Sequence, residues 1–489
     1  MLKTAGWLLP AILALAGCSS SGQRHEQTLS QALTALGQDK ALIGASNGVM
    51  VRDAESGTVL YQAHAQQRLA PASNMKMFTS LAAFGVLGAD YRFETRLLTT
   101  GEQRGDTLRG DLYLQGSGDP TLHPDDLDTF AATLAQRGIR HIHGRLILDA
   151  SAFDQTPFGA GWSWDDEPFA FAAPISALNY AFTPGGDINV VRVDVQPGAR
   201  AGAPGRVSFY PANDAVTLVN RTTTTGGDTV LTFDRQPGSN RIVVSGTVAA
   251  QAEASSRLIT VDQPARVVGA LLQNALRAHG ITLRGNAEEG VTPAGARLLA
   301  EKTSPPLSRL AVTFLKVSNN GYGEVLTKAM GRKTQGKGDW AAGLQAIGRF
   351  VQSQGIEAGA YRQVDGSGLS RMNQITPQQL TTLLLAARKQ PWFADWYNAL
   401  PIAGQPGLLV GGTLRSRMVK SAAAGRAHAK SGSMTGVSSL SGYVDSATGR
   451  PLAFAIISNN YLVPGAEVKA LEDRLVETLA ACDATVVCR

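Results

Sequence analysis

Three cysteines, seven histidines and no apolar run long enough to cross a bilayer are the sparse features of this 489-residue chain. The histidines are scattered. His141 and His143 alternate in the manner of a strand, but no cysteine or acidic set stands near them at metal-ligand spacing, so neither a metal nor another cofactor is expected. Charge of one sign is also scarce: the formal net charge is +6, spread along the chain, which gives nucleic-acid binding only a weak warrant and suits anionic polymers of the cell envelope equally well. Collagen-like and heptad repeats are absent. What is present is 44% hydrophobic and 17% charged residues, the balance of a soluble globular protein, over a length that suggests about three domains. A peptide, a disordered tail and a multi-span membrane protein are thereby excluded.

The apolar run Trp7 to Ala16 follows the basic Lys3, is too short to span a bilayer and ends in small residues, which reads as a secretory leader over residues 1–17. Leu15-Ala16-Gly17-Cys18 resembles a bacterial lipobox, so Cys18 is the expected lipidation site and Ser19 to Gly22 a tether. This implies a periplasmic protein, lipid-anchored to the outer membrane of a Gram-negative bacterium and touching the membrane through that anchor only. Cys482 and Cys488 can pair in an oxidising compartment or remain as two buried thiols.

Beyond the tether (18–40), Gly48 to Tyr61 reads as a hairpin. The helix that follows opens near Ser73 and carries Met77, Phe78, Leu81 and Phe84 at helical spacing before Gly85 and Gly88, read as breakers. Near the other end, Arg426 to Ser433, Leu440 to Val444 and Pro451 to Ser458 are strand-like, and a last helix occupies about Pro464 to Ala481. The two ends therefore meet in one α+β domain, an antiparallel sheet flanked by helices, in two parts (41–91 and 303–489). Between them lies a large insertion: outer parts at 92–185 and 261–302, with helices around Leu127 to Arg137 and Gln263 to His279, surround a mainly β core at 186–260.

Three short motifs carry chemistry as a set. Ser73-Asn74-Met75-Lys76 is S-x-x-K at a helix start, where a spacing of three puts amine and hydroxyl on one face; a lysine desolvated beside other cations can then serve as the serine's base. Ser318-Asn319-Asn320 is S-x-N in the loop after a helical segment from Leu307 to Lys316, and Lys430-Ser431-Gly432 sits on a strand. The ordered trio resembles the penicillin-binding protein and serine β-lactamase superfamily. About half the chain separates Lys76 from Ser318, a large insertion similar to that of the class C low-molecular-mass penicillin-binding proteins, the D-alanyl-D-alanine carboxypeptidase/endopeptidases. Three further phrases agree with that likeness: Gly116 to Leu122, Gly161 to Asp166 and Asp365 to Arg371. Ser431 stands where the family more often has threonine, and keeps the hydroxyl.

The resemblance implies Ser73 as nucleophile, Lys76 as its base, and Ser318 as proton relay to the departing D-alanine. The N–H groups of Ser73 and Ser433 would form the oxyanion hole. Asn320 would hold the acyl-side amide, and Lys430, Ser431 and Gly432 the terminal carboxylate. Asp166 and Phe171 of the insertion would recognise the amino group of a diaminopimelate side chain; against that stands a solvated loop acid for Asp166. Arg371 would line the same cleft or pair with Asp365. His428 reads as an outward strand residue and Asp119 as a turn residue. The implied partners are peptidoglycan stem peptides ending in D-Ala-D-Ala, their cross-links, and β-lactams as covalent inhibitors. A β-lactamase is the competing enzyme, but Ile175 stands where the E-x-x-L-N deacylation motif, otherwise approximated by Ile175 to Asn179, needs its general base. A catalytically inactive envelope-binding protein is the third reading, opposed by the intact motifs.

Overall fold

The computed structural model describes residues 28–482. Five antiparallel strands form its principal sheet in the order Ala427–Met434, Val437–Asp445, Pro451–Asn459, Ser46–Asp53, Val59–Ala63, so that the chain's last strands pair with its first. Strand alternation distributes residues between two cores. Ala453, Ala455 and Ile457 face the helices Met75–Leu87 and Pro377–Ala387, while Leu452, Phe454 and Ile456 face the helix Gly465–Ala481. Because helices cover both faces, Val437 to Val444 is buried throughout and reads as a continuous run of small and apolar residues.

The Met75–Leu87 helix is buried on nearly every side. Gly85 does not break it. The helix runs on to Leu87 and ends at Gly88 in a positive-φ cap; Gly85 is small because a Cβ there would stand 2.2 Å from the Phe350 ring. Ser73 itself lies just before the helix, in a single 3-10 turn, Ala72–Asn74, and only Lys76 is in the α-helix proper.

The insertion has its own core. A five-stranded sheet and a four-stranded sheet enclose the helices Pro124–Gln136 and Pro264–Ala278, and Leu114, Leu134, Leu148 and Leu272 meet Val193, Ile242 and Val244 from two three-stranded sheets of the innermost segment. Several pairings here are parallel, including Leu112–Gly116 with Leu146–Asp149 and Thr217–Thr225 with Arg241–Ala249.

Candidate active site

The three motifs converge. Lys76 is fully buried, and its Nζ donates at 2.8 Å to Ser73 Oγ, 2.6 Å to Asn320 Oδ1 and 2.8 Å to the Ser367 carbonyl. The last two partners accept only, so when the amine is neutral they take its two N–H groups and leave the lone pair for the Ser73 hydroxyl. Burial pulls the Lys76 pKa from 10.5 down to about 7, against the opposing pull of the Glu324 and Asp365 carboxylates. A neutral amine is thus accessible near physiological pH, as a general base requires.

Lys430 is equally buried; its Nζ donates to Ser318 Oγ at 2.8 Å and to the Ser431 carbonyl at 2.6 Å, and burial together with the Lys76 charge holds its pKa well below the lysine range. Ser318 therefore lies between a second amine and the cleft. It adopts φ +63°, and Ala72, directly before the nucleophile, φ +47°. Left-handed backbone is costly for residues with a Cβ and persists where packing dictates it, often at functional sites. Here Gly368 packs so closely on this turn that a Cβ would meet the Ala72 carbonyl at 1.9 Å. Gly432 is similarly confined: its Cβ would lie 2.4 Å from Ser439 Oγ, 2.7 Å from the Pro71 carbonyl and 3.0 Å from the Ser73 nitrogen, so the Lys430 strand abuts the nucleophile's turn directly.

A cleft of about 520 Å³ opens over these groups, lined by Ser73, Ser318 and Asn320, by Ser433, Met434 and Thr435, and by Asp166, Phe171 and Arg371. Asn320 ties the motif residues to the insertion, since its Nδ2 donates to the Phe171 carbonyl at 2.8 Å. Phe171 stacks on Phe169 with ring centroids 5.5 Å apart. Burial raises the Asp166 pKa, Asp165 adds to the rise, and Arg371 opposes it, so Asp166 and Arg371 present opposite charges to one space. The Ser431 hydroxyl is directed to Thr413 Oγ1 at 2.8 Å.

One alternative falls away, and one expectation is corrected. Arg371 donates to the Thr435 carbonyl and not to Asp365, whose carboxylate is filled by Trp162 Nε1, the N–H groups of Gly368 and Ser370, and Asn373 Nδ2. His428 is not an outward strand residue: its ring stacks on Tyr397 with centroids 4.2 Å apart, and burial, reinforced by Lys316, lowers its pKa to about 4. Asp119 does cap a turn, accepting from Thr121 and pairing with Lys302. Ile175 is buried, and Asn179 is spent on Ser176 and Asn189. Cys482 is disulfide-bonded, while Cys18 and Cys488 lie outside the described residues. Thr413 and the buried acid Glu324 escaped the sequence reading; the one signal for Glu324 is its place one helical turn after Asn320.

A serine hydroxyl beside a buried amine, at the edge of a helix-flanked antiparallel sheet, is the arrangement of the penicillin-binding-protein-like serine hydrolases, and the molecule is of that class. Within it, the chain belongs to the D-Ala-D-Ala carboxypeptidase 3 (S13) family, which residues 29–482 match. It is similar to a D-alanyl-D-alanine carboxypeptidase of Actinomadura sp. (strain R39), 41% identical over 97% of this chain and 88% of the relative. The D-alanyl-D-alanine carboxypeptidase DacB of Haemophilus influenzae is 28% identical over 89% of each chain. Among solved structures, penicillin binding protein 4 (dacB) from Haemophilus influenzae superposes with a TM-score of 0.80 at 27% identity, covering 91% of this chain and 98% of that one. The same protein complexed with a β-lactam superposes with a TM-score of 0.75 at 25% identity over the same shares.

Proposed function

We propose that this protein is a serine D-alanyl-D-alanine carboxypeptidase/endopeptidase that cleaves peptidoglycan stem peptides and their cross-links and is acylated by penicillins. The observation that carries this reading is the 2.8 Å contact of Lys76 Nζ with Ser73 Oγ inside the cleft that Ser318 and Ser433 also line. Ser73 Oγ attacks the carbonyl between the terminal D-alanines while its proton passes to Lys76. The N–H groups of Ser73 and Ser433 receive the oxyanion. Ser318, backed by Lys430, hands a proton to the departing amine as the C–N bond breaks. Water then attacks the ester, returning Ser73 and releasing the shortened peptide.

Asn320 retains a second N–H for the acyl-side amide, Lys430 and Ser431 with Gly432 hold the terminal carboxylate, and Asp166 with Phe171 receives the diaminopimelate amine, Arg371 lining the same space. Lipidation at Cys18 places the enzyme in the periplasm at the outer membrane. The leader supports this, and neither nucleic acid nor a cofactor enters the scheme.

Labelling with a fluorescent penicillin, followed by the lifetime of the adduct, tests the reading. A long-lived adduct supports the peptidase, a short-lived one points to a β-lactamase, and absence of an adduct to an inactive binding protein. The buried Ile175, offering no carboxylate for deacylation, favours the first outcome.

A further inference from the structure

The loop that presents the Ser367 carbonyl to Lys76 is held almost entirely by two buried carboxylates. Glu324 stands one turn after Asn320 on the same helix, so both face the same side. Its two oxygens accept from the N–H groups of Gly366 and Ser367 at 2.8 and 2.7 Å and from Trp340 Nε1 at 2.8 Å. Asp365 grips the far end of the loop through Gly368 and Ser370. Thr79, one turn after Lys76, donates to the Gly366 carbonyl at 2.7 Å, and a Cβ on Gly366 would stand 2.2 Å from Thr327 Oγ1, leaving the loop no room to shift. Both acceptors of Lys76 other than Ser73 are thus anchored on one helix: Asn320 directly, Ser367 through Glu324.

We propose that Glu324 is a positioning residue for Lys76. Its carboxylate fixes the Gly366–Ser367 peptide so that the amine lone pair has only Ser73 to face, and where it is ionised its charge moves to higher pH the range in which Lys76 takes the Ser73 proton. The proposal rests on the reading of Lys76 as base.

The sign follows from the groups around Lys76. Ser73 and Thr79 on its own segment and Asn320 opposite are neutral, Glu324 and Asp365 are acids, and Lys430 is the amine close enough for its charge and that of Lys76 to interact. Behind Glu324, Lys328 is held by Asp154 and lies over the Trp340 ring. The carboxylates, where ionised, favour the ammonium form of Lys76 and so oppose burial; burial and the Asp365 charge push Glu324 itself up to about 7, so it carries its charge at and above neutral pH and loses it below. Removing the Glu324 charge therefore makes Lys76 lose its proton at lower pH.

The test is the second-order rate of penicillin acylation as a function of pH for the wild-type protein and Glu324→Gln. The acid limb should move lower in the variant, by up to about one pH unit, the full shift of losing a nearby opposite charge being reduced because Glu324 is part-protonated near neutral pH, while the plateau rate falls about 10-fold or more as positioning loosens. Should Glu324→Gln lack a cooperative thermal transition, Trp340→Phe removes one donor to the carboxylate, leaves it less ionised, and should move the limb in the same direction by less. An acid limb that stays at the wild-type pH in the folded variant, whatever its rate, overturns the proposal. A wild-type protein that no penicillin acylates overturns instead the assignment of function.

Discussion

Replacing Gly432 by alanine should separate activity from stability. The added methyl would sit 2.4 Å from Ser439 Oγ, 2.7 Å from the Pro71 carbonyl and 3.0 Å from the Ser73 nitrogen. The buried Ser439 hydroxyl is pinned, donating to the Pro71 carbonyl and accepting from Asn74 Nδ2, and the other two contacts are backbone atoms, one of them on the nucleophile itself, so the strand and the Ser73 turn must part by a few tenths of an ångström or more. Overpacking of this kind costs about 1–3 kcal/mol, which in a chain of this size lowers the melting temperature by only a few degrees. The same displacement moves the Ser433 N–H away from the Ser73 N–H; a 1 Å error in such a constellation costs about 100-fold in rate, so a shift of a few tenths should cost about 4- to 10-fold. Acylation by a chromogenic cephalosporin and thermal unfolding, measured on the same preparation, decide the matter. Acylation within about 3-fold of wild type, or a loss of activity no greater than the loss of folded protein, would refute the reasoning.

Three further outcomes are expected. Lys76→Ala should slow acylation about 100- to 10,000-fold through loss of the base, and in the wild-type protein the rate should fall as pH drops below about 7, where the amine becomes protonated; stopped-flow acylation across pH checks both. Asp166→Asn should reduce turnover of diaminopimelate-bearing peptides ~5-fold or more, the value of a partly solvated charge contact, while leaving acylation by a penicillin without that amine unchanged, as parallel assays on both substrates would show. Cys18→Ala should abolish incorporation of labelled lipid and move the protein from the membrane to the soluble fraction, read by metabolic labelling and fractionation.

Much of the site could be read from residue order because its parts follow local rules. Ser73 and Lys76 are three residues apart, a spacing that any helical turn brings together, and Lys430 to Ser433 lie on a strand whose alternation is visible. What escaped depends on contacts between distant segments. Glu324 looks like an ordinary helix glutamate until the 365–370 loop folds over it and turns its oxygens into acceptors for backbone N–H groups. Thr413 has no motif and matters through a single bond to Ser431. His428 was misread because alternation assigns a side chain to a face but not to solvent: the segment Phe393–Asn398 covers that face and supplies Tyr397. Gly85 was misread for a similar reason, since a glycine packed under Phe350 and a glycine ending a helix are alike in sequence. The parallel pairings of the insertion, set by crossovers between distant strands, leave no local trace either.

The most direct test of the account is the site of the covalent adduct. Intact-mass analysis of the protein after exposure to a penicillin, followed by peptide mapping, should find one penicilloyl group per chain, attached to Ser73, and no adduct on Ser73→Ala, whose fold should be unchanged by loss of one hydroxyl in a 3-10 turn. An adduct on any other residue, or one that persists in Ser73→Ala, would contradict it.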